Sequence, residues 1–184
     1  MHFTGCWVIF CVYMSKHDPF AALKDDGLTI PKPIGTWAKQ KYQLLYSYAS
    51  LFSTSMKDSW DALVYVDLFA SAGRATIRDS GNIVLTSPML ALEVPHRFSR
   101  YVFAEIEKPL IDALKSRVES SHPDVDVRYI PGDVNNNAES ILESLPVHSK
   151  SHKVLSFCFI DPCAMSNLQF KTIESLSLLD LWIS

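Results

Sequence analysis

The chain has 184 residues, of which 48% are hydrophobic, and its 17 basic and 20 acidic side chains leave a formal net charge of −3. This length and composition predict one domain with a hydrophobic core of its own. The slightly negative charge argues against a general electrostatic attraction to nucleic-acid phosphates, so nucleic-acid binding stays an open but unsupported alternative.

The first fifteen residues form an apolar segment that contains no lysine, arginine, aspartate or glutamate. A helix that spans a membrane needs about 20 apolar residues, so residues 1–15 are too few to cross one and no membrane contact is expected. The segment also lacks the basic start and the small cleavage-site residues of a secretory signal. We hypothesise that translation begins at Met14, so that nearly all of the extension 1–15 is not translated.

Turn-forming residues follow this segment and predict an extended arm over residues 16–35. The Asp-Asp-Gly run at 25–27 is typical of a turn, and Pro31 and Pro33 favour extended backbone. The main domain is predicted to occupy residues 36–184.

The main domain is predicted to open with a helix that begins at Thr36, as its N-cap, and ends near Phe52. Apolar residues recur there at intervals of three and four, which is the spacing of one helix face. Trp37 and the neighbouring aromatic side chains are expected to lie in the core.

An apolar strand predicted at 63–69 leads into a turn of small residues. The run LVYVDLFASAGR, residues 63–74, is typical of a strand buried on both faces, followed by backbone that a ligand can approach closely. Such a turn at the first junction between a strand and a helix is typical of cofactor binding. Its candidate cofactor contacts are Asp67, Phe69, Ser71 and Gly73.

A polar loop is predicted over 74–86, then a short helix over 87–94, and then strands that alternate with helices. This alternation predicts an α/β fold of the Rossmann-like type, with a parallel sheet in the strand order 3-2-1-4-5. The five predicted strands cover 63–69, 100–105, 125–130, 154–160 and 179–183.

Three of the later strands each end beside an acidic residue, namely Glu105, Asp133 and Asp161. The carboxyl ends of parallel strands meet at one edge of a sheet, so these acids and Asp67 are expected to face one crevice. Glu105 is suited to accept hydrogen bonds from the hydroxyls of a ribose. The alternative for each residue is that it caps a helix or lies in a solvated turn.

The chain lacks two common phosphate-binding motifs, and this narrows the choice of cofactor. The first turn lacks the G-x-G-x-x-G pattern of dinucleotide sites, and the chain has no G-x-x-x-x-G-K-[ST] phosphate loop. S-adenosylmethionine needs no diphosphate pocket, and Asp67 would lie near its ammonium group. Asp161 is a candidate cofactor contact and also the candidate catalytic residue, which would orient or deprotonate a methyl acceptor. Cys163 and Ala164 offer no aromatic platform for a flipped base, which disfavours adenine methylation.

Several motifs together resemble the three-Cys-motif partner proteins, a bacterial family with a class I methyltransferase-like domain. The resemblance covers residues 25–184 and rests on six segments: WAKQKYQLL, YVDLFASAGR, SPMLAL, YVFAEIEK, GDVN and FIDP. It implies that Asp67 and Gly73 belong to the first cofactor motif, that Asp133 lies at the adenine edge and that Asp161 lies on the catalytic face. The name of the family refers to cysteines of a separate protein, which the resemblance implies as a partner.

This chain departs from the family pattern at two motifs. The family pattern D-G-F-A-G-P-G-R is replaced at Leu68, Ser71 and Ala72, and F-I-D-P-F-G is replaced at Cys163 and Ala164. Ser71 adds a Cβ where the ligand is expected to come closest to the backbone.

The carboxyl end is a further departure, because class I methyltransferase sheets usually continue into strands six and seven. Strand 179–183 would then be an apolar sheet edge, so the domain is expected to be truncated or covered there by a partner. The expected function is methyl transfer from S-adenosylmethionine to an unknown acceptor. The alternative is a non-catalytic subunit that keeps the fold and docks another protein, and the missing glycines disfavour a dinucleotide oxidoreductase.

The four cysteines, Cys6, Cys11, Cys158 and Cys163, form two C-x4-C pairs, which is not a typical zinc spacing. Cys158 lies in a predicted buried strand, where a thiol behaves as a small hydrophobic group. The cysteines are therefore expected to be reduced, which predicts a cytoplasmic protein without a metal site.

Overall fold

A computed structural model describes residues 18–177 of the chain. In chain order these residues form α1 (Ala38–Met56), β1 (Ala62–Asp67), β2 (Arg74–Thr76), β3 (Ile83–Leu85), α2 (Ser87–Leu92), β4 (Arg100–Glu105), α3 (Lys108–Ser121), β5 (Val127–Pro131), α4 (Ala138–Glu143), β6 (Val154–Phe159), a 3₁₀ turn (Met165–Asn167) and α5 (Phe170–Ser177). The predicted fifth strand, 179–183, and the apolar segment 1–15 lie outside the described residues.

The main sheet contains four parallel strands in the order β5-β4-β1-β6. β1 pairs with β4 on one side and with β6 on the other, and β5 pairs with the far side of β4. This arrangement confirms the predicted order for the four strands that are described. The molecule is a mixed α/β protein whose central parallel sheet is flanked by helices, which is compatible with a Rossmann-like fold.

The two faces of the sheet pack against different helices because side chains alternate along each strand. Tyr65, Tyr101 and Phe103 lie on one face in a core cluster that includes residues of α1, α2 and α3. Val64 and Val102 belong to the other cluster, together with residues of α4 and α5. β1 is buried along its whole length because it lies between two strands and two helix layers.

The prediction of a polar loop over 74–86 is wrong, because β2 and β3 form an antiparallel hairpin there. Ala75, Ile77 and Val84 of this region are buried. The arm pairs with the hairpin through two isolated bridges, Leu23 to Ile83 and Ile34 to Ile77. The arm, which lies about fifty residues earlier in the chain, therefore stabilises these strands. Each strand has only three residues, too few for a local sequence pattern to indicate it.

The start of α1 also differs from the prediction. Trp37, not Thr36, is the N-cap residue, and its side chain makes no capping hydrogen bond. Thr36 instead donates a hydrogen bond to Asp79. Trp37 was expected in the core, but 66% of its surface is exposed, because it lies on the same side of the helix as the exposed residues Leu44 and Tyr48.

Cys158 is exposed on β6, so the expectation of a buried thiol is wrong. β6 is an outer strand of the sheet within residues 18–177, which leaves several of its side chains partly exposed. In the same part of the chain, no helix is both long enough and apolar enough to cross a bilayer.

Candidate functional site

The carboxyl ends of the parallel strands open on a cavity of about 1350 Å³. Pockets for small ligands usually measure about 300–1,000 Å³, so this one has room for a cofactor and part of a second molecule. Its walls come from the turn after β1, the ends of β4, β5 and β6, the start of α1 and residues 29–36 of the arm. This cavity therefore lies at the sheet edge at which the sequence pattern predicts a site.

Five of the predicted site residues lie on the wall of this cavity, namely Phe69, Ser71, Glu105, Asp133 and Asp161. Two others, Asp67 and Gly73, are not among the described residues that line it. Residues from all four strand ends therefore meet at the cavity. Asp67 and Gly73 face away from it.

Asp67 is fully buried at the end of β1 and bonds to the protein itself. Its Oδ1 accepts a hydrogen bond from the Phe69 N–H at 3.2 Å, and the Tyr65 hydroxyl donates to its Oδ2 at 3.4 Å. Burial raises the pKa of Asp67 from 3.8 to about 7, and the nearby Ser87 hydroxyl of α2 opposes part of this rise. Asp67 is therefore placed to hold the turn and the start of α2 together.

Gly73 has a backbone conformation and a packing position that only glycine fits easily. Its φ is +78°, and a Cβ built there would lie 2.7 Å from Met89 Cγ and 2.8 Å from Leu114 Cδ1. These neighbours belong to the core cluster, so the small size of Gly73 permits close packing of the turn against α2 and α3.

Ser71 and Glu105 form the centre of the cavity wall. The Ser71 N–H donates to Glu105 Oε2 at 2.8 Å, and the Glu107 N–H donates to Glu105 Oε1 at 2.9 Å. Glu105 is only 8% exposed, so these two backbone donors fix a nearly buried carboxylate. Each of its oxygens keeps a further lone pair, which allows the pair to accept hydrogen bonds from two neighbouring hydroxyls.

Asp133 follows β5 in a loop that Asn135 organises. Asp133 Oδ1 accepts from both the backbone N–H and the Nδ2 of Asn135, at 2.9 and 2.8 Å. Asn135 also bonds to the Asn167 carbonyl, to the Gln169 N–H and to the Thr172 hydroxyl. One amide therefore ties the loop after β5 to the segment after β6, and Oδ2 of Asp133 has no hydrogen-bond partner among the described residues.

Asp161 lies after β6 and forms an ion pair with Lys41 of α1. The Lys41 Nζ is 4.9 Å from the ring centroid of Trp37 and 5.1 Å from that of Tyr42, within the range of cation–π attraction. Burial, with a smaller contribution from the nearby Asp161, raises the pKa of the Tyr42 phenol well above its ordinary value. α1 therefore supplies a cation and an exposed aromatic ring beside the candidate catalytic carboxylate.

Charged side chains on the cavity wall are mostly acidic. There are five carboxylates and three basic groups: Asp79, Glu105, Glu107, Asp133 and Asp161, with Lys32, Lys41 and Arg78. This balance fits a ligand that carries positive charge and no phosphate. Within residues 18–177, no group of three or more His, Cys, Asp or Glu residues is arranged to hold a metal ion.

Trp37, Lys41 and Thr86 are among the wall residues that sequence reasoning did not place at the site. Thr86 is 2% exposed, and its Oγ1 has no hydrogen-bond partner within the described part of the chain. The helical spacing between Trp37 and Lys41 could have indicated that they share a face, but not that the face borders the cavity. Nothing in the local sequence marks Thr86.

Comparison with known proteins finds no match: no family model, no curated protein and no solved structure is similar to this chain.

Proposed function

We propose that this chain is a methyltransferase-like protein that binds S-adenosylmethionine along the carboxyl ends of its sheet and transfers the methyl group to an acceptor. We also propose that it belongs with the three-Cys-motif partner proteins that its motifs resemble. The observation that carries the proposal is the fixed carboxylate of Glu105, which faces a cavity of suitable size between Ser71 and Asp133.

Glu105 would hold the ribose of the cofactor. Its position is set by the N–H groups of Ser71 and Glu107, so it needs no rearrangement to accept hydrogen bonds from two ribose hydroxyls. Asp133, on the neighbouring strand end, would lie beside the adenine, and Phe69 would contribute apolar wall. The absence of a phosphate-binding loop agrees with a nucleoside that carries no phosphate.

Asp161 and Lys41 would act on the acceptor. The ion pair holds the Asp161 carboxylate at the cavity wall, where it can orient an acceptor and take its proton if the acceptor carries one. When bound, the cofactor supplies an electrophilic methyl group on a sulfonium. The protein then contributes mainly position and exclusion of water, for which residues 29–36 of the arm provide one wall.

Isothermal titration with S-adenosylhomocysteine, the demethylated product, tests the proposal. We expect the wild-type chain to bind it with a Kd of about 100 µM or tighter, and Glu105→Gln to bind at least tenfold more weakly. The reason is that glutamine cannot accept at both side-chain ends, so the wall loses an acceptor for the ribose. Glu119→Gln, on the exposed side of α3, is the matched control and should bind like the wild type.

Thermal melts of each variant must first show a cooperative transition, so that weak binding is not confused with unfolding. A folded wild-type chain that binds neither S-adenosylhomocysteine nor S-adenosylmethionine at millimolar concentration would contradict the proposal. Equal affinities of wild type and Glu105→Gln would contradict the role of Glu105.

An exposed apolar stripe on α1 favours a second candidate function, which is a non-catalytic subunit that docks another protein. The stripe consists of Trp37, Leu44, Tyr48 and Leu51, each more than half exposed and all on one side of the helix. The same titration separates the two functions, because a docking subunit has no need of the cofactor.

A further inference from the structure

Thr86 combines three features that together indicate a ligand contact. It lies between β3 and α2, it borders the cavity, and it is 2% exposed. Its Oγ1 has no hydrogen-bond partner within residues 18–177. A buried hydroxyl without a partner costs stability, so such groups are rare unless a ligand or a water molecule satisfies them.

The hydroxyl of Thr86 does not cap α2, although Thr86 is the N-cap residue of that helix. Thr86 is the N-cap residue of α2, where a threonine side chain normally accepts a hydrogen bond from the first turn of the helix. Here it makes no capping bond. The helix therefore leaves the Thr86 hydroxyl available to the cavity.

The order of the strand ends identifies which part of the cofactor Thr86 would meet. The Thr86 N–H donates to the Gly73 carbonyl at 3.0 Å, so Thr86 lies beside the turn after β1. With the ribose on Glu105 of β4 and the adenine towards Asp133 after β5, the amino-acid end extends the other way, over the turn after β1. A hydroxyl can pair with either the carboxylate or the ammonium at that end.

We propose that Thr86 binds the amino-acid end of S-adenosylmethionine, an inference that rests on the function proposed above. The affinities of two ligands test it. S-adenosylhomocysteine carries the amino-acid end, whereas 5′-methylthioadenosine has the same nucleoside and lacks that end. We expect Thr86→Val, which keeps the shape of the side chain, to bind S-adenosylhomocysteine about tenfold more weakly and 5′-methylthioadenosine as tightly as the wild type does.

Thr86→Ser keeps the hydroxyl and should retain affinity for both ligands. In thermal melts without ligand, we expect Thr86→Val to have a Tm equal to or above that of the wild type, because it removes an unpaired buried hydroxyl. Thr86→Ala serves as a second variant, for which the same selective loss of S-adenosylhomocysteine affinity is expected. Each melt shows whether the variant is folded before its affinity is compared.

Three results would overturn the inference: unchanged affinity of Thr86→Val for S-adenosylhomocysteine, an equal loss for both ligands, or a Tm of the unliganded valine variant clearly below that of the wild type. The last result would show that the hydroxyl bonds within the protein. Failure of the proposed function looks different, because the wild-type chain would then bind neither adenosine ligand. That result would overturn both proposals.

Discussion

Ser71 adopts a φ of +55°, in the left-handed region that favours glycine, although the residue has a side chain. A residue with a Cβ pays roughly 1–2 kcal/mol for this conformation. The backbone conformation is the one in which the Ser71 N–H reaches the Glu105 carboxylate at 2.8 Å. The turn therefore stores a small strain at the place where it fixes the proposed ribose acceptor.

We predict that Ser71→Gly stabilises the protein by about 1 kcal/mol, because glycine adopts this φ without strain. Removing the Cβ also enlarges the cavity beside Ser71, so the affinity for S-adenosylhomocysteine should stay equal to that of the wild type or rise. Chemical denaturation and calorimetry measure the two effects. Ser71→Ala, which keeps the Cβ and loses the hydroxyl, is the control, and a glycine variant no more stable than the alanine variant would contradict the strain argument.

Asp67 is expected to make the stability of the protein depend on pH. Burial raises its pKa from 3.8 to about 7, so the folded state holds a proton that the unfolded state has lost between these pH values. The free energy of unfolding that this group contributes therefore falls as the pH rises from about 4 to about 7. Asn resembles the protonated form and does not titrate.

We predict that Asp67→Asn has nearly wild-type stability near pH 4 and is the more stable protein at pH 8, by up to about 4 kcal/mol. Thermal melts of both proteins from pH 4 to pH 8 measure the difference between their stabilities. The other titratable groups are the same in both proteins, so their contributions cancel in this difference. A difference that is independent of pH would contradict the buried position of Asp67. Because Asp67 bonds within the protein, the variant should also bind S-adenosylhomocysteine nearly as the wild type does.

The arm is held against α3 by a buried arginine. Arg117 donates from Nε and Nη2 to the two carboxylate oxygens of Asp26, both at 2.8 Å, and from Nη1 to the Ala72 carbonyl at 2.6 Å. The Arg117 side chain is 2% exposed. One guanidinium therefore links the arm, α3 and the turn after β1, and its hydrogen bonds lower the pKa of Asp26 to about 2.

We predict that Asp26→Asn lowers the free energy of unfolding by about 2 kcal/mol at pH 7, because it leaves a buried guanidinium without its anionic partner. The pKa of Asp26 is depressed, so its contribution is complete above about pH 4 and is lost as the pH falls towards 2. Limited proteolysis should also cut the variant faster within residues 18–35. Asp25→Asn is the matched control, and equal behaviour of the two variants would contradict the anchoring role.

The main strands were predictable because each is an apolar run of five or six residues separated from the next by a helix. The hairpin of β2 and β3 was not, because its strands have three residues each and depend on the distant arm. Glu105, which closes β4, and Asp161, which lies just after β6, reach the cavity as expected. Asp67, which closes β1, and Gly73, in the turn that follows, do not line the cavity, because packing against the core decides which way these positions face.

Contacts between distant elements account for what the sequence could not indicate. Arg117 lies in α3, where an arginine is normally solvated, and here its side chain is buried between the arm and the turn after β1. Lys41 meets Asp161 across 120 positions of the chain. Such pairings are set by the packing of whole elements, and local sequence patterns carry little information about them.

In the molecule as a whole, the sheet forms the core, and the wall of the cavity is built mainly from segments that connect helices and strands. Both faces of the sheet are covered by helices, while the cavity is bordered by turns, the arm and the start of α1. Binding sites at the carboxyl edge of a parallel sheet are common because loops there can vary without disturbing the core. The proposed acceptor region lies near Asp161 and Trp37, at the β6 end of this carboxyl edge.

A crystal structure of the chain with S-adenosylhomocysteine tests the central claim most directly. We predict that the nucleoside lies across the ends of β5, β4 and β1, with the ribose hydroxyls donating to Glu105 and with Asp133 beside the adenine. A ligand bound away from this edge, or one whose ribose makes no contact with Glu105, would contradict the proposed site.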